Sequence, residues 1–121
     1  MQALIVDDSR VLRRILSAYL QQLGFQVVEA GNGREALERL HQSESPDVVL
    51  VDWNMPEMNG LEFIRSVRAE ERFRNLPLMM VTTELEMDHV ATALLVGANE
   101  YVMKPFSKES IADKLQLIGL L

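Results

Sequence analysis

The stretch Pro46-Asp47-Val48-Val49-Leu50-Val51-Asp52-Trp53-Asn54-Met55-Pro56-Glu57-Met58-Asn59-Gly60 decides how this chain is read. Residues 48–51 are four consecutive apolar residues, three of them β-branched. A strand with one wet face would alternate with polar residues, so the unbroken run predicts a strand buried on both faces. Asp52 closes the run. A carboxylate there stands at the carboxyl edge of a sheet, where open α/β folds bind their ligands. Pro56 and Gly60 mark the following segment as a turn-rich connection. Asp also ends strands and opens turns for local reasons, so its meaning depends on what else reaches the same edge.

Working outward, residues 3–6 form a short apolar run that stops at Asp7-Asp8. Val11, Leu12, Ile15, Leu16, Tyr19, Leu20 and Leu23 then recur at helical spacing, closed by Gly24. Residues 25–30 predict a second strand, and Asn32 with Glu35 three positions later predicts a capped helix bearing Ala36, Leu37 and Leu40. Beyond Gly60, Leu61, Ile64 and Val67 mark a third helix, and Pro77 breaks the chain before a fourth strand over 78–82. A fourth helix carries Met87, Val90, Ala91, Leu94 and Leu95 and stops at Gly97. Residues 100–103 predict the fifth strand, Lys104-Pro105 a turn, and Ser107 the cap of a last helix with Ile111, Leu115 and Ile118 inward. Five strands alternating with five helices predict an α/β fold, a doubly wound parallel sheet with helices on both faces.

At 121 residues the chain is expected to form one domain, spanning 1–121, and to bury roughly two thirds of its unfolded surface. Its 18 acidic and 12 basic residues leave a net charge of −6 with no run of five like charges, so no nucleic-acid partner is expected. Without cysteine there is no disulfide framework and no thiolate ligand or nucleophile. The first residues lack the pattern of a signal peptide, and no apolar run approaches the roughly 18 residues of a membrane span, so the protein is expected to be cytoplasmic, without membrane insertion.

Polar residues fall at the carboxyl ends of four predicted strands: Asp7 and Asp8, then Asp52, then Thr82 and Thr83, then Lys104. Each has a local explanation, since Asp8, Ser9 or Thr83 could cap helices and Lys104 could be a solvated loop residue. Together on one edge they point to a site. Three carboxylates in one pocket repel each other and resist ionisation unless a cation joins them. An oxygen-only ligand set with few members suits Mg²⁺, which keeps several waters and works beside phosphate. A transferring phosphoryl group would then be steadied by the metal, the Lys104 ammonium and the Thr82 hydroxyl, with Asp52 as the nucleophile.

The motifs Val6-Asp7-Asp8-Ser9-Arg10, Asp52-Trp53-Asn54-Met55-Pro56 through Gly60, Val81-Thr82-Thr83-Glu84, Gly97-Ala98-Asn99-Glu100-Tyr101 and Lys104-Pro105-Phe106 span the chain. In these it resembles the receiver domains of two-component response regulators, with Asp52 to Pro56 most similar to the chemotaxis members. The resemblance implies the flavodoxin-like strand order 2-1-3-4-5, which periodicity cannot give. It also implies that Asp7, Asp8, Asp52 and the Asn54 backbone carbonyl hold Mg²⁺. Asp52 would accept phosphate from a sensor histidine kinase or histidine phosphotransfer domain, with Thr82 and Lys104 on the phosphoryl oxygens and a cis Lys104-Pro105 peptide beside them. A downstream protein target would dock on the fourth helix, fifth strand and fifth helix.

Thr82 and Tyr101, near the ends of neighbouring strands, form the expected switch, the ring moving from exposed toward buried on phosphorylation. Alternatives are the receiver part of a longer regulator, a phosphorelay intermediate outside chemotaxis, and an aspartate-nucleophile phosphatase. Asn54, where such phosphatases carry a second Asp, disfavours the last. A flavin carrier is disfavoured because Asp7-Asp8-Ser9-Arg10 would repel a phosphate lacking a metal. Asn59 departs from the Asp of many relatives without removing a ligand. Glu84, Glu86 and Asp88, with no Lys among them, disfavour an acidic partner at the start of the fourth helix. Met79 and Met80 are expected to fill the core, His41 and His89 to carry no chemistry, and Trp53 to report on the pocket. Arg10, Arg13 and Arg14 stand at the dipole-unfavourable end of the first helix, where they neutralise Asp7 and Asp8 or dock an acidic donor.

Overall fold

The computed structural model describes residues 1–42, 45–83 and 88–121. Along the chain run β1 (Gln2–Val6), α1 (Arg10–Gln22), β2 (Gln26–Ala30), α2 (Gly33–Gln42), β3 (Val48–Asp52), α3 (Gly60–Arg68), β4 (Leu78–Thr83), α4 (Val90–Val96), β5 (Glu100–Lys104) and α5 (Lys108–Leu117). A 3₁₀ turn at Glu71–Phe73 had no sequence signal. The strands pair in parallel in the order β2-β1-β3-β4-β5. The chain winds outward from the centre in both directions, so the strand ends beside β1 and β3 open a crevice at the carboxyl edge.

β3 is central because its side chains need two apolar layers. Val48, Val49, Leu50 and Val51 are all fully buried, each contributing about 1.5–3 kcal/mol relative to exposure. Val49 and Val51 pack into the layer formed with α2, α3 and α4, while Val48 and Leu50 enter the layer formed with α1 and α5. Met79 and Met80 divide between the same two layers.

The helix ends follow their predicted chemistry. Ser9 Oγ accepts from the Leu12 N–H at 3.2 Å, Asn32 Oδ1 from the Glu35 N–H at 2.8 Å, and Ser107 Oγ from the Ser110 N–H at 3.0 Å. Asn59 and Glu62 form a reciprocal capping box on α3, so the Asn in place of Asp serves as a helix cap. At α2 the return bond differs, because the Glu35 carboxylate accepts from Gly31 N–H and not from Asn32.

Two helix faces differ from expectation. In α4 only Val90 and Ala93 are buried, while Ala91 is exposed and Leu94 and Leu95 are 42% and 87% exposed. In α1, Val11 and Ile15 are likewise exposed. A helix can bury only one stripe, and the apolar residues outnumber the positions it offers. Met87, Glu84 and Glu86 lie outside the described residues.

Arg68 ties α3 to the α4–β5 turn. Its guanidinium donates to the Gly97 carbonyl at 2.8 and 3.0 Å, to the Phe73 carbonyl at 2.8 Å and to Asn99 Oδ1 at 3.0 Å. Gly97 has φ +132°, and a β-carbon there would stand 2.6 Å from Arg68 Cγ. Gly97→Ala is therefore expected to lower stability by about 1–3 kcal/mol from backbone strain alone. Urea unfolding checks this, and a midpoint equal to wild type would show that the turn relaxes freely.

Candidate functional site

The β1–α1 loop, the end of β3 and the end of β5 bring four groups together. Asp7 and Asp52 are 1% and 4% exposed, whereas Asp8 is open to solvent. One carboxylate oxygen from each of Asp7, Asp8 and Asp52 lies within 4.8 Å of the others. Lys104 Nζ donates to Asp52 Oδ1 at 3.1 Å and stands 3.6 Å from Asp7 Oδ2. Strand alternation and register explain the meeting: Asp52 pairs with Val81 and Val81 with Val102, so Asp52 shares a face with Lys104 two residues past Val102.

Asp7 is held by local geometry. Its N–H donates to the Ala30 carbonyl at 3.1 Å, and its Oδ1 accepts the Ser9 N–H at 2.8 Å. Its Oδ2 is buried with no hydrogen-bond donor among the described residues. Burial is the largest influence on this carboxyl and raises its pKa, aided by the Asp8 charge and opposed by the Ser9 N–H and Lys104. Lys104 alone does not compensate the cluster. An unsatisfied buried oxygen facing two further carboxylates fits a hard cation held through oxygens, and Mg²⁺ matches that donor set.

The loop after β3 is pinned to the site. Trp53 N–H donates to the Val81 carbonyl at 3.1 Å, and Gly60 N–H to the Trp53 carbonyl at 2.9 Å. Gly60 sits so close that a β-carbon would lie 2.8 Å from the Asp52 carbonyl oxygen, which is why a glycine opens α3. Asn54 lies exposed in the same loop. Thr82 is buried, and its hydroxyl donates to the Thr83 carbonyl over 3.4 Å. The Lys104–Pro105 peptide is cis.

Thr82 shares its face of the sheet with Met80, opposite which Tyr101 lies in register. The Tyr101 ring is half-buried, not exposed as expected: it packs on the α2–α3–α4 layer with Lys114 Nζ 4.5 Å from its centroid.

Three partnerships were missed from the sequence. His89, at the start of α4, stacks on Trp53 with centroids 4.6 Å apart and an interplanar angle of 15°. His41 pairs with Glu70 at 2.8 Å. Arg13 donates to the Asp7 backbone carbonyl at 2.6 Å and to Glu29 at 3.1 Å. A cation at a helix end that disfavours it was the one available signal, and it marked Arg13 only as one of three arginines.

The fold and this edge cluster are those of a receiver-type doubly wound α/β domain. The family of the response regulator receiver domain matches residues 3–116, and the chain belongs to that family. It is 44% identical over 119 residues to the chemotaxis protein CheY1 of Helicobacter pylori, covering 98% of this chain and 96% of that one. It is also similar to the solved structure of CheY4 from Vibrio cholerae, with TM-score 0.89, 37% identity and 97% of each chain covered. The receiver domain of the sensor histidine kinase PA1611 from Pseudomonas aeruginosa, solved with a magnesium ion in its active-site cleft, is 28% identical. Its TM-score is 0.86, with 96% of this chain and 94% of that one covered. The chain is thus a CheY-like receiver of the chemotaxis response-regulator family, a family of signalling switches. No helix among the described residues is long and apolar enough to cross a membrane.

Proposed function

We propose that this chain is a single receiver domain, residues 1–121, that works in the cytoplasm as a phosphorylation-driven binding switch. Asp52 takes a phosphoryl group from a phosphohistidine of a kinase or histidine phosphotransfer domain. The P–N bond breaks, the imidazole leaves with its electron pair, and an Asp52 oxygen forms the new P–O bond. The observation carrying this reading is the Lys104 ammonium 3.1 Å from Asp52 Oδ1, beside a carboxylate cluster with a buried oxygen left unsatisfied.

Asp7, Asp8, Asp52 and the Asn54 carbonyl would hold Mg²⁺. When bound, it supplies positive charge to the phosphoryl oxygens and relieves the mutual repulsion of the carboxylates. Lys104 turns from the Asp52 carboxylate to a phosphoryl oxygen, keeping a charge-assisted bond throughout. Thr82 offers its hydroxyl to another oxygen, giving up its long bond to the Thr83 carbonyl. A phosphoryl group adds about −1.5 to −2 charge and three strong acceptors, enough to draw that hydroxyl inward. Tyr101, on the same face, then sinks deeper and changes the surface of α4, β5 and α5. The exposed Leu94, Leu95 and Met103 on α4 and β5 support this surface as the docking face for a downstream target.

Mg²⁺ titration followed by Trp53 emission tests the site, since Trp53 is the only tryptophan and its N–H is fixed beside Asp52. A saturable change is expected in wild type, weakened strongly in Asp8→Ala. An unchanged spectrum together with no calorimetric heat would remove the metal site.

A further inference from the structure

Resting on that Mg²⁺ site, we infer that Arg13 is a positioning residue for the cation-binding carboxylates, clamping the Asp7 main chain to the end of β2. Its Nη1 donates to the Asp7 carbonyl at 2.6 Å while Nε donates to Glu29 Oε1 at 3.1 Å, with the side chain only 17% exposed. Glu29 belongs to β2, and the next residue, Ala30, receives the Asp7 N–H. Both main-chain polar groups of Asp7 are thus fastened to the same strand end. With Oδ1 taken by Ser9 N–H, Oδ2, which faces Lys104, is left without a hydrogen bond among the described residues.

The clamp acts on the backbone and not as a counter-ion. The Arg13 guanidinium meets the Asp7 carbonyl and the Glu29 carboxylate. The geometry also needs arginine, because one guanidinium spans two acceptors at fixed angles whereas an ammonium is a single point on a flexible stem. Burying a guanidinium beside a future cation site would otherwise hinder Mg²⁺, so the two roles predict opposite signs.

Full-length Arg13→Met, Arg13→Lys and Glu29→Ala proteins are titrated with Mg²⁺ and with Ca²⁺, reading Trp53 emission and calorimetric heat. Arg13→Met is expected to weaken Mg²⁺ about tenfold, in the range found for residues that orient metal ligands. Ca²⁺ should weaken less, because Mg²⁺ demands near-octahedral placement and Ca²⁺ tolerates disorder. Arg13→Lys should recover little. Glu29→Ala, which leaves α1 intact and remains informative if Arg13→Met fails to fold, should weaken Mg²⁺ in the same direction with the same Mg²⁺-over-Ca²⁺ bias. Unchanged or tighter Mg²⁺ binding in Arg13→Met, equal loss for both ions, or wild-type behaviour of Arg13→Lys would each overturn the clamp. Absence of Mg²⁺ binding in wild type would instead overturn the metal site and the clamp with it.

Discussion

Asp52→Asn, incubated with acetyl phosphate and Mg²⁺, is expected to keep its intact mass unchanged, whereas wild type gains one phosphoryl group. The substitution preserves shape but replaces a carboxylate by an amide that cannot carry phosphate as an acyl phosphate. Other carboxylates stand nearby, so the result is not trivial. Asp7 is locked by three hydrogen bonds to its N–H, carbonyl and Oδ1, and Asp8 is exposed to solvent. Only Asp52 combines burial with the 3.1 Å approach of Lys104. The expected loss is therefore complete and not partial. A stable adduct on Asp52→Asn would move the acceptor elsewhere in the cluster.

The second large effect runs in the opposite direction. Asp7→Asn should abolish detectable Mg²⁺ binding and yet make the protein more stable at neutral pH. Burial raises the Asp7 pKa from its ordinary 3.8, with the Asp8 charge adding to the rise. The folded state thus holds this proton more tightly than the unfolded one. The stabilisation from that proton is full below about 3.8 and is lost as pH rises through the folded value. At pH 7 wild type bears a buried charge that Asn removes, while the Asn carbonyl still accepts the Ser9 N–H. A gain on the order of 1 kcal/mol would raise Tm by about 4 °C in a domain of this size. The difference should shrink toward zero as the pH falls below that of the free carboxyl. Calorimetric melts of both proteins across this range, without divalent ions, check it; a less stable Asp7→Asn at pH 7 would mean that Lys104 outweighs desolvation.

The sequence was readable where a residue's role is set by its immediate neighbours. The unbroken apolar run 48–51 read as a doubly buried strand, and Asp7, Asp52 and Lys104 each stood at the end of a predicted strand, so their common edge was implied by parallel winding. Ser9, Asn32, Asn59 and Ser107 cap helices through bonds spanning three residues, and three of these caps were visible as such. Strand order depends on pairing between distant segments and came only through family resemblance. The same reason hid the Trp53–His89 stack and the Arg13–Glu29 bond, which join residues far apart in the chain. Leu94 and Leu95 were misleading because apolar spacing in a helix as short as α4 does not fix which side meets the sheet.

Lys104, poised 3.1 Å from one carboxylate and 3.6 Å from another, gives the cluster a resident monovalent cation. On the proposed reading, every visitor to the pocket negotiates with that tethered occupant. A divalent ion must share carboxylates already partly satisfied, so its hold stays modest and it can exchange. A phosphoryl group, by contrast, recruits the occupant to its own oxygens. The same side chain would therefore loosen the grip on the helper ion and tighten the grip on the signal, making the pocket's occupancy follow phosphate more than magnesium.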